Sequence, residues 1–361
     1  MTLTDLPPEL LEEIFLHCDP HDIGVLAQCC SYFHTIIYAP ENPAASIPFW
    51  RALYLSQPLD DPRASLTPLG LPRPVSDDLW RTRLQRLTRV RTLLENDVAP
   101  PADELETLIE CLLDMVTFVV PLRALATGQI DVSSSLLWAM VLLLRDNALF
   151  GETSSTPRAT QLLARLHTLC GPTPRDFDPA LRVRSRAAVY DLRRYRPETS
   201  YGPFLPGGGV DWVMMYQLHH VMAMHFTPPQ EDNAVVLYPM SLPFTQLVML
   251  DGEEARKDWA GVAGRWHIAF CYCDHRELIQ YNSTATTPDA PLDTSMFEDP
   301  DFVEICRTLP FELVPTRFEP DAQHPEHPII HFEAVNGEAL GMTIQGIVSV
   351  TPDIRKKHFS R

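Results

Sequence analysis

Few residues in this chain of 361 are of the types and spacings that carry chemistry. Cys271, Cys273 and His275 alternate, which on a strand would turn two thiols and an imidazole to one face, a donor set suited to zinc. Structural zinc sites use two closely spaced ligand pairs; no second pair follows, so these read as half-buried strand residues. His324, His327 and His331 form another group, but Pro325 and Pro328 make that stretch a loop with solvated rings. Pro206-Gly207-Gly208-Gly209 precedes Val210-Asp211, and small residues at a helix start can hold phosphate on backbone N–H groups. The lysine and hydroxyl residue of a P-loop do not follow, so this reads as a flexible loop with Asp211 near the helix start. No G-x-S-x-G, H-E-x-x-H or dinucleotide fingerprint occurs. The expectation is a protein with no catalytic residues, no metal ligands and no cofactor.

The elements that would position any site begin at the N-terminus. Pro7 and Pro8 suit only the first turn of a helix, where their missing N–H groups are not needed. Glu9, Glu12 and Glu13 follow at the positive end of its dipole, and Leu10, Leu11, Ile14 and Phe15 recur at helical spacing as one apolar stripe. Asp19-Pro20-His21-Asp22 marks a second start, with Ile23, Leu26, Ala27 and Cys30 on one face. Phe33, Ile36 and Ile37 make a third helix. So small a bundle is marginal alone, and Leu3, Leu6, Pro7 and Leu10 are more apolar than its core needs. Such an edge marks a partner site.

The order Leu6-Pro7-x-Glu9-Leu10, Asp22-Ile23, Cys30, Phe33 and Trp50 resembles an F-box, the module that joins proteins to a ubiquitin-ligase scaffold. Cys18 stands where that family usually has leucine, and the stretch before Trp50, with Pro40, Pro43 and Pro48, is longer than usual. The resemblance implies binding to the Skp adaptor, and through it to a cullin–RING scaffold. Leu3, Leu6, Pro7, Leu10, Ile14 and Ile23 would be the adaptor-binding residues. Residues 1–55 hold seven acids against one base, Arg51, in weak agreement.

Length suggests two or more domains, and 45% hydrophobic content is enough for real cores. A net charge of −18 argues against general nucleic-acid binding. The longest apolar run, Leu136 to Leu144, is too short to span a bilayer, and no secretory signal is visible. The eight scattered cysteines then read as reduced thiols. A soluble cytoplasmic or nuclear protein is expected. Only three of the 29 basic residues are lysine, which reads as compositional bias towards arginine.

The fold class expected is α+β: a three-helix F-box (1–55), a proline-rich linker (56–76), a helical region (77–230) and a C-terminal antiparallel sheet or partial barrel (231–361). The helical region rests on stripes such as Leu105, Leu108, Ile109, Leu112 and Val116, on Leu162 to Leu169 closed by Gly171-Pro172, and on Leu181 to Tyr195 and Val210 to Phe226. Trp266 to Phe270, Leu278 to Tyr281, Phe311 to Phe318, Ile329 to Phe332 and Met342 to Val350 read as strands, the last joined through Thr351-Pro352-Asp353 to a hairpin partner. Blocks including Val189 to Tyr195, Gly202 to Pro206, Val210-Asp211-Trp212, Gly264-Arg265-Trp266 and Gly346 to Asp353 resemble a group of fungal F-box proteins.

Charge is uneven: residues 175–196 hold seven arginines against three aspartates, and residues 286–340 hold twelve acids against two arginines. The acidic stretch reads as a solvated loop, paired with the arginine helix, rather than a surface for basic substrates. Trp259, Trp266, Phe270, Tyr272 and Tyr281 read as sheet core. The function expected is a non-catalytic substrate receptor of an SCF-type ligase with an unknown protein substrate. The competing readings are an F-box interaction protein acting with the adaptor outside a ligase, and a ligand-binding or enzymatic sheet whose turnover the F-box controls.

Overall fold

A computed structural model describes residues 3–66, 72–73, 79–123, 133–144, 148–151, 156–206, 209–226, 248–249, 257–335, 343–350 and 357–360. The N-terminal helices start where the sequence marks them. α1 (Pro8–Leu16) has proline in its first turn, and α2 (Pro20–Cys29) is capped by Asp19, which accepts from the His21 N–H at 2.8 Å. α3 (Ser31–Tyr38) closes on Ala39 in the left-handed region. A further helix, α4 (Ile47–Leu55), carries Trp50, whose indole N–H donates to the Ile37 carbonyl at 3.0 Å. Phe15, Phe33, Phe49 and Trp50 meet edge-on with centroids 5.6 to 6.5 Å apart, the favourable aromatic geometry.

That core does not stop at residue 55. Tyr54 packs edge-on against Trp80 at the start of α5 (Leu79–Glu95), and one apolar cluster runs from Leu11 through α6 (Leu105–Thr117) and α7 (Ser134–Leu143) to α8 (Pro157–Cys170). Arg91 of α5 donates to Asp19 at 2.5 Å, tying the second helix to the array. The described part of the expected linker is packed: Leu59 and Pro62 are buried. The Asp60 carboxylate accepts from Ser133 Oγ at 2.5 Å and from the Ser134 and Ser135 N–H groups at 3.1 Å, capping α7. The rest of that linker lies outside the described residues.

α9 (Pro179–Val189), begun by Asp178-Pro179, and α10 (Trp212–Phe226), capped by Asp211, complete the helical part; Gly207 and Gly208 lie outside the described residues. A two-residue parallel pair, β1 (Leu122–Arg123) with β2 (Val248–Met249), precedes the main sheet. That sheet is an open antiparallel meander in chain order: β3 (Gly264–Cys273), β4 (Glu304–Glu319), β5 (Ile329–Val335), β6 (Thr343–Val350) and β7 (Lys357–Ser360). It is not a barrel, since β3 and β7 do not pair. β4 and β5 shift register between Pro315 and Arg317. Phe311, Leu313, Ile330, Ala334 and Val348 then share a buried cluster with Val262. Gly346 lies so close to the Phe332 ring that an added Cβ would sit 2.5 Å away. Thr351-Pro352-Asp353 and Met342 lie outside the described residues.

Three expectations need correction. Leu278 to Tyr281 is not a strand but part of α11 (His275–Asn282), begun by Asp274, which accepts from the Arg276 N–H at 2.8 Å, with Glu277 in the first turn. His275 therefore leaves the strand face of Cys271 and Cys273. The aromatic residues are not one core either. Trp266, Phe270 and Tyr272 are about two-fifths exposed on β3, an edge strand among the described residues, while Tyr281 is buried with Tyr190, Phe297 and Phe302.

Candidate functional site

α1 carries apolar residues on two sides. Leu11 and Phe15 are fully buried, whereas Leu10 (53% exposed) and Ile14 (41%), one turn apart, face solvent, as does Leu3 (48%). Pro7 is exposed and Leu6 half-buried against the core. The Tyr32 hydroxyl donates to the Leu6 carbonyl at 3.5 Å, so this exposed ring of α3 borders the same turn. Sequence spacing passed over Tyr32, and no feature of its position marks it. Ile23, expected on the same face, is fully buried, unlike Leu3, Leu10 and Ile14. Leu3, Pro7, Leu10 and Ile14 form an apolar rim that the chain's own core leaves uncovered. Around it stand Glu9, Glu12 and Glu13; burial, with Glu9 nearby, raises the Glu12 carboxyl.

A second constellation joins the sheet to the helices. The Glu304 side chain, 1% exposed at the start of β4, accepts from Arg186 Nη2 at 2.6 Å and Nε at 2.9 Å, and from the Tyr190 hydroxyl at 3.0 Å. His225 Nε2 lies 3.2 Å from the same carboxylate and 3.3 Å from Cys271 Sγ. Burial opposes ionisation here, but His225 and Arg186 outweigh it and hold Glu304 down at about 2. Burial and the Glu304 charge push the Cys271 thiol up to about 11, which keeps it protonated at neutral pH. His225, Cys271 and Glu304 could between them offer metal ligands within 4.8 Å of one another. The Arg186 guanidinium already occupies the carboxylate oxygen, and its charge opposes a second cation. The geometry is that of an ion-pair clamp. Around it the Tyr281 hydroxyl donates to the Ala187 carbonyl at 2.8 Å, and Arg193 donates to the Pro288 and Ala290 carbonyls at 2.8 and 2.9 Å. The arginine-rich and acid-rich segments thus meet.

One Ser–His pair has catalytic spacing. Ser185 Oγ and His220 Nδ1 are 2.7 Å apart, and His220 Nε2 lies 2.8 Å from the Asp176 carbonyl. A carbonyl only accepts, so Nε2 carries the proton and Nδ1 accepts from the serine; burial lowers the His220 pKa and keeps the ring neutral. Ser185 is 1% and His220 2% exposed, so no substrate reaches them. The Asp176 carboxylate is turned away, accepting from Tyr216 at 2.6 Å and the Thr173 N–H at 2.6 Å, with His167 at 2.8 Å. This is a buried polar network that locks α8, α9 and α10 together. The three histidines expected on a loop do not converge, and not all are solvated loop residues: His331 lies on β5 paired with Glu319, His324 is largely buried and paired with Asp321, and His327 lies edge-on to Trp259.

The N-terminal helices thus form a small module with an aromatic core and an outward apolar rim. Residues 3–43 match the family model of the F-box domain, and this stretch is an F-box domain. No curated protein and no solved structure matches the chain. The blocks that resemble fungal F-box proteins lie outside the matched residues. No helix among the described residues is long and apolar enough to cross a membrane.

Proposed function

We propose that the protein is the substrate-recognition subunit of an SCF-type ubiquitin ligase. Its F-box docks on the Skp adaptor, and through it on a cullin–RING scaffold; the helical and sheet parts hold a protein substrate. The observation that carries the reading is the F-box match over a module whose Leu3, Leu10 and Ile14 face solvent. The subunit performs no bond chemistry. It raises the local concentration of a substrate lysine beside the ubiquitin-charged partner. This role places it in the cytoplasm or nucleus. The test is affinity purification of wild type beside a Leu10→Asp/Ile14→Asp variant. Adaptor and cullin recovered with wild type alone support the reading. Adaptor without cullin points to action outside a ligase, and neither protein with wild type rejects it.

A further inference from the structure

Beside the Glu304 clamp lies a cavity of about 840 Å³, walled by α9 on one side and by residues 294–302 on the other. Phe297 and Phe302 are its most buried walls, and Val183 extends the apolar surface. The Arg186 guanidinium lies over the Phe302 ring, 5.0 Å from its centroid, with its charge met by Glu304. One turn earlier Arg182 also lines the cavity. It reaches the same carboxylate only at 3.7 Å, and its side chain is 37% exposed. Two guanidinium groups therefore share one carboxylate, and the exposed Arg184 also lines the cavity, so the α9 wall keeps a surplus of positive charge. Glu298 and Asp299, both exposed, supply negative charge at the mouth.

An inner cation, apolar walls and an acidic mouth describe a ligand with the opposite order of charges. We propose, resting on the receptor reading above, that this cavity is the substrate-recognition pocket and takes a peptide carboxylate set beside an apolar residue, with a basic residue leaving past Glu298 and Asp299. Arg182 forms the new charge-assisted hydrogen bonds, and Phe297, Phe302 and Val183 bury the apolar side chain. A carboxylate fits better than a phosphate, because attraction to Arg182 and Arg184 grows only in proportion to the ligand's charge, is offset by Glu298 and Asp299, and meets a desolvation cost that grows faster for a dianion. The carboxylate comes from an aspartate or glutamate side chain or from a chain end.

The test uses the full chain co-purified with the Skp adaptor and a positional-scanning library of random decapeptides, made with free and with amidated C-termini and with a phosphoserine series. Wild type is expected to enrich Asp or Glu over Asn or Gln by about tenfold at one position, the gain of one charge-assisted contact. An apolar neighbour and a basic residue should be favoured beside it. Arg182→Gln should abolish the acidic preference alone, and Glu298→Gln/Asp299→Asn the basic preference alone. Enrichment that survives amidation assigns a side chain, and enrichment confined to free ends assigns a chain terminus; both support the pocket. A flat wild-type profile, a profile unchanged by Arg182→Gln, or a preference for phosphoserine overturns it. Adaptor co-purification with every variant separates failure of the pocket from failure of the receptor reading.

Discussion

Replacing Glu304 by glutamine tests the link between the two halves most sharply. The carboxyl stands at about 2, against an ordinary 4.5, in a side chain that is 1% exposed. That fall corresponds to about 3 kcal/mol of folding stability held by the ionised form. Because the folded-state value is depressed, the contribution is complete above about pH 4.5 and is lost as pH falls towards 2. Glu304→Gln removes the charge and leaves Arg186 (11% exposed) without its counter-ion. In urea unfolding followed by tryptophan fluorescence, the variant should be less stable by about 3 kcal/mol at pH 7, a midpoint lower by about 1 M. At pH 3 the wild type has itself lost most of the benefit, and the gap should close to about 1 kcal/mol. Other acids titrate alike in both proteins and cancel. Equal midpoints at pH 7, or the same gap at both pH values, would refute the clamp.

The capping carboxylate Asp60 predicts a local effect: Asp60→Ala should lower stability by up to about 2 kcal/mol and speed amide exchange at Ser134 to Leu136, read by hydrogen exchange. Ile23→Ala should cost about 3 kcal/mol by leaving a cavity, whereas Ile23→Val, costing about 1 kcal/mol, should leave adaptor affinity at the wild-type value in a binding titration. A fluorophosphonate probe should label wild type and Ser185→Ala equally, because the serine is sealed; labelling that disappears in the variant would favour an enzymatic reading.

Local signals were the legible ones. Asp19-Pro20, Asp178-Pro179 and the Gly171 stop each act within a few residues, and the helices begin and end there. The failure at Leu278 to Tyr281 shows the limit: a short apolar run reads as a strand until the Asp274 cap is weighed against it. Spacing placed Leu10 and Leu11, like Ile14 and Phe15, on one stripe; only packing on α3 and α4 divides it into a buried and an exposed side. The burial of Ile23 is likewise set by packing and not by spacing. The Glu304 clamp was hidden because Arg186 and Tyr190 lie more than 110 residues away. Its one trace in the sequence is a lone acid between Phe302-Val303 and Ile305-Cys306, where a carboxylate in an apolar strand calls for a counter-ion, together with the arginine and acid asymmetry that the contact explains.

The most direct measurement is calorimetric titration of the purified chain with the purified Skp adaptor, for wild type and for Leu10→Asp/Ile14→Asp. Both substituted residues are exposed, so circular dichroism should be unchanged. Binding by wild type and a loss of at least about a hundredfold in the variant is the result expected of an apolar docking rim. A wild type that does not bind, or a variant that binds as tightly, would contradict the account.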